Sequence, residues 1–148
     1  MASEHIYKQS DADLQSIRAK VLEMGTIVEE QLSEAVQSLV DADTKLAEKV
    51  IRRDEEVNDL EIDIDEDCSL LIGKRSPVAA DLRNVLMMIK IIGDLERIGD
   101  ESTKIANATI RIIENDIMSK PQFKNINSML GSVQLMLRQA LNSFARLD

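Results

Sequence analysis

Glu61 with Asp65, and Glu96 with Asp100, repeat one spacing, acid-x-x-x-acid. On a helix that spacing projects both carboxylates from one side, a turn apart, where like charges repel. A multivalent cation with oxygen ligands, Mg²⁺, Mn²⁺ or iron, would relieve the repulsion. Pairing with Arg97, Lys104 or Arg53 would relieve it equally well. Folding the chain back about residues 75 to 77 sets Glu96 opposite Glu56 and Glu61 opposite Ile91, an offset of roughly 7 Å along the axis. In that register Asp54 completes a site with Glu96 and Asp100.

These acids stand out from a larger acidic population. The segment DEEVNDLEIDIDED, residues 54 to 67, has nine acidic side chains in fourteen positions, and most belong on a solvated helix face. At about 100° per residue from Val57, Asp59, Asp63 and Glu66 turn away from the apolar stripe. Asp54, Glu61 and Asp65 fall within about 40° to 80° of its centre and should be partly desolvated, which calls for a donor, a cation or a metal. Gly93 and Gly99 flank the second pair inside a helical pattern, each at a cost of about 1 kcal/mol relative to alanine. Close helix packing or access to a bound ion would offset that cost.

Catalytic alternatives are few. The one histidine, His5, lies in a polar N-terminal arm, residues 1 to 10, expected to be flexible. A ferritin-type di-iron site needs histidines within its bundle. No Ser/His or Cys/His pair and no glycine-rich phosphate loop is present. An enzyme here would be a metal-dependent hydrolase or oxidase working with carboxylates alone.

The net charge of −9 disfavours nucleic acid and anionic membranes as partners and favours basic surfaces or cations. Cys68, the single cysteine, permits no intramolecular disulfide, and no signal peptide or long apolar run is evident, so the cytoplasm is the expected compartment and membrane insertion is not expected. Only Tyr7, Phe123 and Phe144 are aromatic, leaving an aliphatic core.

The periodicity that would position the acids is helical throughout, and the expected class is all-α. Leu14, Ile17, Val21, Met24, Val28, Leu32, Ala35 and Leu39 step by threes and fours, with Gln31 shifting the register. DADT, residues 41 to 44, offers a turn and an N-cap. A second long helix reverses near Gly73. Ser76 as cap and Pro77 at the first helical position open a third, which runs to about Asn115. Pro121 introduces a fourth, from about Gln122 to Leu147. Residues 28 to 43 align with 133 to 148 at an offset of 105, with Val28, Leu32, Ala35, Ser38 and Asp43 matching identical residues. That repeat predicts a first three-helix unit over 11–117 and the first helix of a second, incomplete unit over 118–148.

Together, RDEEVNDLEIDIDEDC, KRSPVAADLR and LERIGDESTKIA, in this order and at these separations, resemble the PhoU family of bacterial phosphate uptake from about Ser10 to Asp148. The resemblance implies an antiparallel three-helix bundle repeat. Members usually have two repeats, each with an ERIGD-like segment; one is present here, so the chain looks like a PhoU sequence stopping after its fourth helix. By resemblance it would be a cytoplasmic adaptor without catalysis, linking the ATPase subunit of the phosphate ABC transporter to the phosphate-sensing histidine kinase and repressing phosphate-starvation genes. The acid-x-x-x-acid motifs through which some members of the family bind metal carry over to Glu61 with Asp65 and Glu96 with Asp100. Asp81 and Arg83 of ADLR are candidates for partner contact, or for helix-start capping and a local salt bridge.

The fourth helix has a stripe of Ile126, Leu130, Val133, Leu137, Ala140, Leu141 and Phe144, too apolar to leave in water. Folding back onto its own bundle or docking on another chain would cover it. A homodimer that exchanges this helix between two chains is expected.

Overall fold

The computed structural model of the chain describes residues 2–75, 77, 79–115 and 123–146. It has four α-helices in order, α1 (Ala2–Asp41), α2 (Thr44–Arg75), α3 (Ala79–Glu114) and α4 (Phe123–Arg146), and no strand among the described residues. The all-α reading holds. Residues 2–10, expected as a separate arm, continue α1. Pro77 precedes α3, which begins at Ala79; Ser76 lies outside the described residues.

The α1–α2 corner follows from local chemistry. Ala42 adopts a left-handed φ of 53°. Its N–H donates to Leu39 O at 3.4 Å, and the Asp43 N–H donates to Ser38 O at 2.9 Å, which satisfies the last carbonyls of α1 as a Schellman motif does. Asp43 Oδ1 then accepts the Leu46 N–H at 3.1 Å, the N-cap expected of DADT.

Helices α1, α2 and α3 pack on one another pairwise, whereas α4 packs on α1 alone. The core is aliphatic and runs the length of the three-helix bundle. Ile17, Val21, Met24 and Val28 of α1 meet Val57, Ile64 and Cys68 of α2 and Val85, Met88, Ile92 and Leu95 of α3. A smaller cluster of Ala35, Ala47, Val50 and Ala106 fills the bundle beside the α1–α2 corner.

Helix α4 runs antiparallel to α1. Leu141 meets Gly25, where a Cβ would stand 2.6 Å from Leu141 Cδ2, and Arg138 Nη2 reaches Glu29 Oε1 at 2.6 Å. Farther along, the buried Arg18 guanidinium lies 5.8 Å from the centre of the Phe144 ring. Leu137 and Phe144 of the expected stripe are buried, Leu130 and Leu141 half-buried, Val133 and Ala140 exposed; the Ile126 side chain lies outside the described residues. Positions paired by the internal alignment therefore differ. Val28, Leu32, Ala35 and Ser38 are buried in α1, but of their α4 counterparts only Leu137 is.

Candidate functional site

Antiparallel packing of α2 on α3 places the half-buried Glu61 within electrostatic reach of Glu96. The expected register set Glu61 against Ile91; α2 runs two residues past Gly73 and α3 begins only at Ala79, so the reversal lies later in the chain than assumed. Burial first, then the negative charges of Glu96 and Asp65, hold the Glu61 carboxyl above the usual carboxylate range. Asp65 itself is exposed, farther from the core than its helical angle implied. One turn on, burial pushes the Cys68 thiol up to about 11, aided by Asp65 and Asp67.

The remaining candidates are drawn into other contacts. Asp100 Oδ2 lies 3.6 Å from Lys104 Nζ, whose pKa is raised mainly by its hydrogen bond to Glu101 and then by charge. Asp54 Oδ1 accepts from Gln31 Nε2 at 3.1 Å. Gly99 faces this junction: a Cβ there would lie 3.0 Å from Gln31 Oε1 and 3.1 Å from Asp54 Oδ1. Close packing therefore accounts for Gly99 but not for Gly93, which has open space where a Cβ would stand.

Cations are distributed selectively. Arg53 goes to Glu30 of α1 at 2.6 Å, and Arg97 to Asp94 at 3.6 Å. Lys20 bridges Asp63 and Asp67 at 2.8 and 2.7 Å, and these two hydrogen bonds raise its pKa. Asp63 and Asp67 share the acid-x-x-x-acid spacing and are neutralised by a lysine from α1. Glu61, Asp65 and Glu96 make no ion pair among the described residues. In their present rotamers the described residues contain no group of three or more His, Cys, Asp or Glu side chains set to grip a metal ion. As a donor set, the three carboxylates still have the hard oxygens and unrelieved like charge that suit a divalent cation.

Asp81 is half-buried in the first turn of α3, where the helix dipole favours a carboxylate, and Arg83 is exposed. They form no salt bridge with each other among the described residues.

Residues 21–109, the span that holds every one of these side chains except Lys20, match the PhoU domain. The chain belongs to the PhoU family. It is 39% identical over 146 residues to the phosphate-specific transport system accessory protein PhoU homolog of Pseudomonas aeruginosa, and 40% identical over 146 residues to PhoU of Escherichia coli. Each alignment covers 99% of this chain and 60% of the relative, so the chain spans about 60% of the length of these curated relatives. The crystal structure of PhoU from Pseudomonas aeruginosa superposes with a TM-score of 0.88 at 39% identity, over 93% of this chain and 66% of that one. The phosphate transport system regulatory protein PhoU from Streptococcus pneumoniae superposes with a TM-score of 0.82 at 29% identity, over 92% and 63%.

Within this PhoU bundle, Gln31 and Lys20 are the residues that sequence reasoning passed over. Gln31 is fully buried, ties α1 to Asp54, and also donates to Val50 O at 3.2 Å. Its signal was visible as a polar residue at the point where the α1 register slips. Lys20 gave none, because nothing in α1 alone indicates that it lies against two acids of α2.

Proposed function

We propose that this chain is a non-catalytic adaptor in phosphate uptake and its control. It contacts the ATPase subunit of a phosphate ABC transporter and a phosphate-sensing histidine kinase in the cytoplasm, and holds phosphate-starvation genes off while phosphate is plentiful. One observation carries this reading: 99% of the chain aligns with proteins named for accessory service to phosphate transport. The net charge of −9 argues for protein contacts over nucleic acid, and no helix among the described residues is long and apolar enough to cross a membrane. Asp81 and Arg83, at the start of α3, are the partner-contact residues we assign. Disrupting the gene should leave a phosphate-starvation promoter active in phosphate-rich medium; unchanged repression would contradict the proposal.

We further propose that Glu61, Asp65 and Glu96 hold a Mg²⁺, Mn²⁺ or iron ion as a regulatory or structural ligand. The unrelieved charge around Glu61 favours this, while Asp100 and Asp54, committed to Lys104 and Gln31, have secondary parts. Calorimetry with Mn²⁺ should give binding that Glu61→Gln with Glu96→Gln abolishes and Asp100→Asn only weakens. Equal heats from wild type and the double variant would overturn it.

A further inference from the structure

Helix α2 packs on α1 and α3 alone, so one side of it stays uncovered. With the buried Val57 at zero and about 100° per residue, Glu55, Asp59, Ile62, Glu66 and Leu70 all fall within about 40° of the line opposite the core. All five are exposed. Ile62 is 59% exposed and Leu70 53%, although the helix that holds them has ten acidic residues with which to face water. They stand two turns apart, about 12 Å along the axis, with Glu66 midway between them. Each also borders a hollow of about 310 Å³. Ile62 shares a shallow depression with Asp59, Leu60 and Glu66, and Leu70 edges a cleft with Leu71 that opens between α2 and α1.

The charge on this side is left open. Lys20 of α1 takes Asp63 and Asp67, while Lys49 and Arg53 of α2 turn to Glu34 and Glu30 of α1. Glu55, Asp59 and Glu66 make no ion pair among the described residues.

We propose that this face of α2 docks a basic amphipathic helix of another protein. Two apolar residues of that helix, about two turns apart, seat beside Ile62 and Leu70, and its lysines or arginines meet Glu55, Asp59 and Glu66. The spacing of the two apolar side chains matches one face of a helix laid along α2. The interleaved acids choose the sign of the partner: a neutral or acidic helix would desolvate three carboxylates and give them nothing in return. A second copy of this chain would set acid against acid here, and the net charge of −9 turns away nucleic acid and anionic membranes. This face is separate from Glu61 and Glu96, which lie between α2 and α3, and from Asp81 and Arg83 at the start of α3.

Fluorescence anisotropy on the 148-residue chain tests the docking with a labelled synthetic helix that has leucine at every third or fourth position and lysine elsewhere. Saturable binding is expected. Ile62→Ser with Leu70→Ser should weaken it about tenfold or more at unchanged helical content, and so should Asp59→Lys with Glu66→Lys. Leu86→Ser, on α3 and as exposed as Leu70, should leave it unchanged. Absence of binding, or an equal loss in Leu86→Ser, would overturn the proposal. So would equally tight binding of a lysine helix with serine in place of leucine, which means charge attraction alone. Equally tight binding of a version with glutamine in place of lysine would also overturn it, since an apolar surface meant for cover by further chain would behave that way.

Discussion

Gln31 Nε2 donates to Asp54 Oδ1 at 3.1 Å and so joins α1 to α2 at the point where α3 presents Gly99. The Gln31 Oε1 atom has no donor among the described residues, and the side chain is fully buried and held by Val50 and Asp54. Three helices meet here at a spacing that would bring a Cβ on α3 to 3.0 Å from Gln31 Oε1 and 3.1 Å from Asp54 Oδ1.

That contact predicts opposite signs for two glycines in one helix. In Gly99→Ala the new methyl crowds the buried Gln31 carboxamide, which is held by its hydrogen bonds to Val50 and Asp54, and an overpacking cost of about 1 to 3 kcal/mol outweighs the gain in helix propensity of about 1 kcal/mol. Gly93→Ala, with open space around it, should instead stabilise by about 0.5 to 1 kcal/mol. Urea denaturation of both variants checks this, and a stabilised Gly99→Ala would refute the packing account of that position.

Ala42 carries a side chain in the left-handed region at the end of α1. Ala42→Gly relieves the clash of its Cβ and should raise stability by about 0.5 to 1 kcal/mol, after the added freedom of the unfolded chain is deducted. A rise in melting temperature without a change in helical content is the expected readout.

Glu61 gives a pH-dependent effect. Because its folded pKa is raised, its contribution to stability is full below the ordinary carboxylate pKa of 4.5 and falls as pH rises through the folded value. Glu61→Gln should therefore stabilise the chain at neutral pH by about 0.3 kcal/mol, as expected for removing a like-charge contact that solvent partly screens. The advantage should vanish in acid. Thermal melts across the acid-to-neutral range would show the two curves converging as pH falls; parallel curves would deny Glu61 this role.

The helices were legible because apolar spacing decides which face is buried, and it reads the same in sequence and structure from Leu14 to Ala35. The α1–α2 corner was legible because Asp43 and its neighbours act locally. Register was not: the distance from Glu61 to its opposite residue depends on how the connection at 76 to 78 is drawn, which no periodicity encodes. Neither was the sorting of acids, since Lys20 and Gln31 reach Asp67 and Asp54 from a helix more than twenty residues away in sequence. The side of α4 that meets α1 was foreshadowed by Leu137 and Phe144, but the same stripe gave no hint that Val133 would remain exposed.

The adaptor reading stands or falls on partner binding. Immobilised chain should capture both the purified ATPase subunit of the phosphate transporter and the cytoplasmic portion of the phosphate-sensing kinase when phosphate is abundant, and substitution of Asp81 and Arg83 together by alanine should weaken at least one of the two. Failure of the wild-type chain to bind either protein would contradict the account.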